Sequence, residues 1–325
     1  MLTCELNPPA SDDEYLRAVN VCFPGWGDQR QLAWVLNRSV GGPLPDRMLL
    51  RLEGILVAGS AVSYRWLERD EKRVLIGIMT GSWTLPEARG QGCFTRIIQE
   101  SVKAAANQGA GLLLAFVTED NPSYRRLRDA GAALFSTTYL QGQGASDASP
   151  CPVEGEVLDE ALETNLHARH VASGEAGLER WSVVYDLDTW RGQLVERARR
   201  SAAVRIGDDA FALVDRVPDN NTTRLLALYQ GNTELDALLS ALAGDESSRG
   251  RTLVGFAADP CLAEAAREAG LLCRPGYITA LVADAAALGA AIAQTEPWSG
   301  HHGDLADPDS PWFIGGFNFH AGDRM

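Results

Sequence analysis

The stretch from Val74 to Gly131, VLIGIMTGSWTLPEARGQGCFTRIIQESVKAAANQGAGLLLAFVTEDNPSYRRLRDAG, constrains the fold of this chain more tightly than any other. Val74 to Leu85 is apolar and punctuated by glycine, the composition of a buried strand. Pro86 to Gly92 is a short polar turn, and Phe94 to Gln108 has helical periodicity. A second apolar run, Leu112 to Thr118, precedes a short helix closed by Gly131. Strand, glycine turn, helix, strand, helix is a plan for holding an anion. The first N–H groups of a helix have no partner inside it and sit at the positive end of its dipole. Glycines at that start let an anion approach the main chain closely. After Arg89 and Gly90, the donors would be the N–H groups of Gln91, Gly92, Cys93, Phe94 and Thr95.

The turn contains neither GxxxxGK[ST] nor GxGxxG, so it is not a nucleoside-triphosphate loop or a dinucleotide loop of the usual kinds. Taken alone, RGQG also fits an ordinary turn. In its setting between strand and helix it resembles the cofactor loop of the GNAT superfamily, the acyl-CoA-dependent N-acyltransferases, whose pattern is [QR]-x-x-G-x-[GA]. Arg89 and Gly92 match the first two fixed positions, and Phe94 departs from the small residue usual at the third. A bulky side chain there requires that the ring point into the core while its N–H faces the pyrophosphate. Asn121, just past the second strand, matches the family's frequent asparagine. The resemblance covers Val74 to Gly131 well and the preceding residues more loosely.

That resemblance implies acetyl-CoA or CoA as co-substrate, and transfer of an acetyl or other short acyl group to an amine. It implies that the strand before the loop splays from its neighbour, and that a main-chain N–H within Gly81 to Leu85 polarises the thioester carbonyl. Trp83, Thr84 and Leu85 would then lie along the pantetheine arm, although Trp83 also fits a half-buried strand aromatic. The family's thiolate acid is often a tyrosine one turn before the closing glycine, where this chain has Arg128. Tyr124 is the nearest phenol and the candidate acid, with packing at the helix start, or protonation by water, as the alternatives. Glu119 is the best-placed carboxylate for a base and Glu87 the next, while surface solvation or helix capping by Glu119 and Asp120 accounts for them more simply.

A chain of 325 residues is long for one domain, and two are expected. No run of eighteen apolar residues occurs, so no membrane span is expected. The first residues, MLTCELNPPASDDE, have neither a basic region nor an apolar core, so the expected location is the cytoplasm. Six scattered cysteines lack CxxC or metal-type spacing and read as reduced thiols. Cys93 has no histidine near it in sequence, and direct acyl transfer needs no thiol. The net charge of −14 argues against non-specific nucleic-acid binding and fits a cationic acceptor such as an amine, or simply a solvated surface.

Upstream, Asp12 to Val40 has helical periodicity interrupted by FPGWGDQ, and Glu53-Gly54 marks a hairpin between two strands. Ala133 to Leu140 reads as a further strand. Gln141 to Pro152 has linker composition. The second half contains a concealed repeat. Leu112 to Gly131 resembles Thr252 to Gly270, with Phe116 opposite Phe256, and Gly92 corresponds to Gly231. The second copy has YQGN in place of ARGQG, so it is not expected to bind the cofactor in that manner. Completing the sheet, walling the acceptor pocket or forming a homodimer are its expected roles.

Glu163, His167 and His170 share helical spacing, and His301, His302, Asp304 and His320 gather near the end of the chain. HExxH is absent, and no metal is expected. The segment PWSGHHGDLADPDSPWFIGGFNFH reads either as a pocket lining or as a loop packed over a sheet. The expectation is therefore an α/β chain of two tandem GNAT-like mixed-sheet domains with helices on both faces. The spans are 1–142, a linker 143–154, and a degenerate copy 155–325. The expected function is acyl transfer from CoA to a primary amine of a small molecule by direct attack. The rivals are a protein or peptide N-acetyltransferase and a non-catalytic acyl-CoA-binding sensor or scaffold.

Overall fold

The structure is a computed structural model and describes residues 1–9, 12–142, 151–176, 180–217 and 220–324. The chain begins with β1 (Leu2–Leu6), α1 (Asp12–Cys22), α2 (Gln29–Leu36), β2 (Asp46–Leu52), β3 (Ile55–Arg69) and β4 (Lys72–Thr84). It continues through α3 (Cys93–Asn107), β5 (Leu112–Thr118), α4 (Pro122–Asp129), β6 (Ala133–Gly142), β7 (Val153–Glu156), α5 (Glu160–Ala176), β8 (Trp181–Val183) and α6 (Leu187–Trp190). Then come β9 (Ala202–Ile206), β10 (Ala210–Val217), β11 (Thr222–Tyr229), α7 (Leu235–Ser248), β12 (Thr252–Ala257) and α8 (Pro260–Glu268). The last elements are β13 (Leu272–Val282), α9 (Ala285–Ile292) and β14 (Phe317–Asn318).

Packing divides the chain into two compact units. One joins Met1–Phe135 with Ile278–Gly316, and the other joins Ser136–Tyr277 with Phe317–Arg324. The expected spans divide the chain by sequence, and residues 278–316 depart from them by packing with the first unit. The physical reason lies in β13, where Thr279 Oγ1 donates to the Ala115 carbonyl at 3.2 Å and Ala283 N–H to the Gly111 carbonyl at 3.0 Å. Of the expected linker, residues 143–150 lie outside the described residues, and β7 already begins at Val153.

In the first unit β1 to β4 form an antiparallel meander, and β4 is parallel to β5. The β2–β3 hairpin turns on Glu53 and Gly54, with φ of 52° and 86°, and β3–β4 on Asp70 and Glu71, with φ of 50° and 64°. Two successive left-handed residues match the twist of the flanking strands. Along β3, every residue from Leu56 to Arg65 is buried. Successive side chains point to opposite faces, so a strand buried throughout has both faces covered. On α3, Ile97, Ile98, Ala104 and Ala105 form the buried stripe.

The second unit repeats the plan. β7, β9, β10 and β11 are antiparallel in that order, β11 is parallel to β12, and residues 138–142 of β6 pair antiparallel with β12. Leu238, Leu239 and Leu242 of α7 pack with Val204, Val214, Leu225 and Leu253. The repeated strand–helix corner matches in chemical detail. Asn121 caps α4 by accepting the Ser123 N–H at 2.9 Å, and Asp259 caps α8 by accepting the Cys261 N–H at 3.1 Å. Each cap is followed by proline, Pro122 and Pro260, at a helix start where a missing N–H is harmless. Among the described residues, no helix is long and apolar enough to cross a membrane.

Candidate functional site

β4 is interrupted on its way to the glycine turn. Its pairing with β3 slips between Gly59 and Ala61, which oppose Trp83 and Thr80, so β4 carries extra chain at Gly81 and Ser82. Gly81 has a φ of +57°, a conformation that glycine adopts without penalty. On the other edge of β4, the parallel register with β5 runs only from Ile76↔Leu112 to Ile78↔Leu114. The remainder of β4 therefore stands clear of β5, and the two strands open toward the turn.

Helix α1 holds this bulge in place. Tyr15 is fully buried and its hydroxyl donates to the Gly81 carbonyl at 2.9 Å. Burial pushes its pKa above the ordinary phenol value, so the donor stays protonated. Cys22, the last residue of α1, donates its thiol to the Thr84 carbonyl at 3.4 Å. Ser60 and Ser82 share a hydrogen bond of 2.7 Å across the strands.

After β4, Pro86–Ala88 makes one tight turn and the chain passes through Gly90 and Gly92, with φ of +80° and +78°. Gly92 is the residue before α3, and no side chain caps the helix there. The first N–H groups of α3 are thus left to an external acceptor. A Cβ built on either glycine meets nothing within 4 Å, so the main chain lies bare. The turn, the opened end of β4 and the start of α4 enclose a groove of about 660 Å³. Two guanidinium side chains, Arg89 and Arg126, line it, a sign of charge suited to phosphate.

Most of the expected loop residues meet at this groove: Trp83, Thr84, Arg89, Gly90, Gly92, Cys93, Phe94, Thr95 and Asn121 all line it. Leu85 and Gln91 are not among the lining residues, and Gln91 is tied back through Nε2 to the Glu87 carbonyl at 3.1 Å. The Trp83 indole is 2% exposed. It lies over Gly59, where a Cβ would come within 2.5 Å of the ring, and meets Tyr15 edge-on at 5.7 Å. The alternation of the strand turns that side chain into the core, so only the main chain of Trp83 is left for a pantetheine arm. The Cys93 thiol is buried against the Ala88 carbonyl, and burial raises its pKa, which disfavours the reactive thiolate. Phe94 is half-buried and lines the groove, which differs from the expected fully inward ring.

Neither expected proton-transfer residue lines the groove. Tyr124 is 9% exposed, on the buried face of α4, with the Arg128 guanidinium 5.8 Å from its ring. Glu119 is exposed on the turn after β5, and Asp120 beside it lines the groove instead. Sequence reasoning missed Tyr15, Cys22 and Phe23. Only the helical periodicity of α1 hinted that Tyr15 faces the sheet, and nothing local pointed its hydroxyl at Gly81.

The histidines are placed by packing. Glu163 accepts from Arg191 and Arg200 at 2.7 and 3.0 Å, and His167 bonds the Tyr185 carbonyl at 2.9 Å. His170 is 4% exposed. Among the described residues no His, Cys, Asp or Glu group is arranged to hold a metal. Residues 297–316 pack as a loop: Trp298 meets Trp312 at 4.9 Å, His302 accepts the Val282 N–H at 3.1 Å, and Arg69 donates to the Ile314 carbonyl at 2.7 Å.

No protein-family model and no curated protein matches the sequence. Solved structures do match the fold. A GCN5-related N-acetyltransferase from Anabaena variabilis superposes with a TM-score of 0.58 at 13% identity, over 89% of this chain and 74% of that one. Another, from Kribbella flavida, gives 0.57 at 15% identity over 90% and 73%. A tandem GNAT protein from the clavulanic acid biosynthesis pathway gives 0.57 at 12% identity, over 87% of this chain and 99% of its own length. With the same mixed strand plan in each unit, opened between its parallel strands, this chain has the tandem fold of the GCN5-related N-acetyltransferases.

Proposed function

We propose that the first unit binds an acyl-CoA and transfers an acetyl or other short acyl group to a primary amine of a small molecule. The observation that carries this reading is the interrupted β4, whose Gly81 bulge and opened edge lead into a groove ending at bare glycines. The donor set fits the coenzyme: uncapped N–H groups at the start of α3 for a diphosphate, with Arg89 and Arg126 beside them. CoA, when bound, supplies an activated thioester and a good leaving group. Main-chain donors within Gly81 to Thr84 would polarise its carbonyl, since the Leu85 N–H is already given to the Val57 carbonyl at 2.9 Å, and the strand opening would orient it.

The amine attacks the carbonyl carbon, the C–N bond forms, the C–S bond breaks, and the sulfur leaves as a thiolate. The ammonium proton passes to water, with the exposed Glu119 and Asp120 as the nearby carboxylates. Because Tyr124 does not line the groove, the thiolate takes its proton from water. That same observation favours a second reading, binding of acyl-CoA without turnover. Incubation with acetyl-CoA and a panel of primary amines separates them. Amine-dependent release of thiol supports the transferase, and CoA binding with no thiol release supports the sensor.

A further inference from the structure

The strand pair of the second unit opens as that of the first does. β11 and β12 are in parallel register from Thr222↔Thr252 to Arg224↔Val254. Beyond Arg224 they border a cavity of about 610 Å³, lined by residues 225–229 of one, Gln230 just past it and Phe256 of the other. This volume is ample for a small-molecule ligand. The phosphate-binding turn, however, is closed from within. Asp209 accepts the Asn232 main-chain N–H at 3.1 Å and its side-chain amide at 2.7 Å. A Cβ at Gly231, the counterpart of Gly92, would run into that carboxylate. The Asp209 carboxylate therefore already occupies the approach where a diphosphate would settle, and Glu234, exposed at the cap of α7, adds a second negative charge to that helix start.

The cavity has cations of its own, Arg169 and Arg180. Arg169 donates to the Asp209 carbonyl at 2.6 Å and lies 5.3 Å from the Phe211 ring, partners that leave its charge uncancelled. Asp259 is the one carboxylate among the described lining residues, and it is engaged in capping α8. The floor is polar and neutral. Ser173 gives its hydroxyl proton to the His170 carbonyl at 2.8 Å, so His320 is the donor in the 3.1 Å bond between its Nε2 and Ser173 Oγ. The His170 and His320 rings are 4.5 Å apart, too close for both to carry charge. Tyr229 accepts the Trp190 indole N–H at 3.4 Å and stands 3.3 Å from His170 Nδ1. The walls are apolar, with Leu225, Leu228, Phe256, Leu262 and Phe319.

From this geometry we infer that the cavity of the second unit binds a small organic carboxylate with an apolar body. The carboxylate meets the two arginines, and the body packs on the leucine and phenylalanine walls. The inference stands apart from the acyl-CoA reading of the first unit, because the two sites share no residue.

Calorimetric titration of the full chain with octanoate tests it, with octan-1-ol and CoA as comparators. The expected result is saturable binding of one octanoate per chain, unchanged when CoA is present at saturating concentration. Arg180→Gln is expected to weaken octanoate about tenfold, the size of one lost charged hydrogen bond. Leu262→Trp, which fills the cavity, is expected to abolish binding. No octanoate binding, binding of octan-1-ol as tight as that of octanoate, displacement of octanoate by CoA, or unchanged affinity in folded Arg180→Gln would each overturn the inference. Whether CoA itself binds is read separately, so failure of one site is distinguishable from failure of the other.

Discussion

Tyr15 and Gly81 are 66 residues apart in sequence and share one hydrogen bond that holds the bulge of β4. Tyr15→Phe keeps the buried ring and removes the donor, leaving the Gly81 carbonyl without it. The expected loss is about 1–2 kcal/mol of stability, read by denaturant unfolding. A larger fractional loss of CoA affinity than of stability is expected if the bulge positions the thioester. Gly59→Ala places a Cβ against the Trp83 ring, and overpacking of this kind costs about 1–3 kcal/mol. His170 makes a prediction about pH. Burial, then the neighbouring His320 and His167, hold its pKa well below the ordinary 6.5. Burial lowers that of His320 too. In acid the unfolded chain therefore binds more protons than the folded one, so the stability these residues contribute is present above pH 6.5 and lost as pH falls below it. Each histidine adds at most about 1.4 kcal/mol per pH unit to that slope. His170→Asn is expected to unfold with a shallower dependence below pH 6.5, and an unchanged slope would refute the assignment.

At the scale of elements, α4 and α8 are built alike, and their caps are predicted to behave alike. Asn121→Ala and Asp259→Ala are each expected to destabilise by about 1 kcal/mol, measured by thermal unfolding. The elements from Val74 to Gly131 were legible because local chemistry fixes them. The observed β4, Lys72–Thr84, and α3, Cys93–Asn107, lie within a residue or two of the expected spans. The glycines at 90 and 92 were legible as places where the main chain could be approached closely, and a Cβ on either meets nothing within 4 Å. The repeat was legible in its caps and in Gly231, but the plugging of the second turn by Asp209 was not. Asp209 lies upstream on the turn between β9 and β10, and only the folded chain brings it to Asn232. Burial of His170 was hidden too, because α5 carries no apolar stripe to mark its inward face.

For the whole molecule, the two units share a plan but differ at the turn that faces the helix start. In the first, bare glycine backbone and arginines are open to an anion. In the second, the chain's own carboxylate takes that place. The first unit takes Ile278 to Val282 from outside its contiguous stretch, whereas residues 138–142, which pair with β12, belong to the contiguous stretch Ser136–Tyr277 of the second. Hydrophobic patterning gives a strand but not its partner, which is why the sequence placed residues 278–316 with the second half. One of the two turns, that of the first unit, is expected to grip a coenzyme. Calorimetric titration with CoA is expected to give one site per chain, not two, with affinity reduced at least tenfold in Gly92→Trp and in Arg89→Ala. Two equivalent sites, or unchanged affinity in both folded variants, would contradict it.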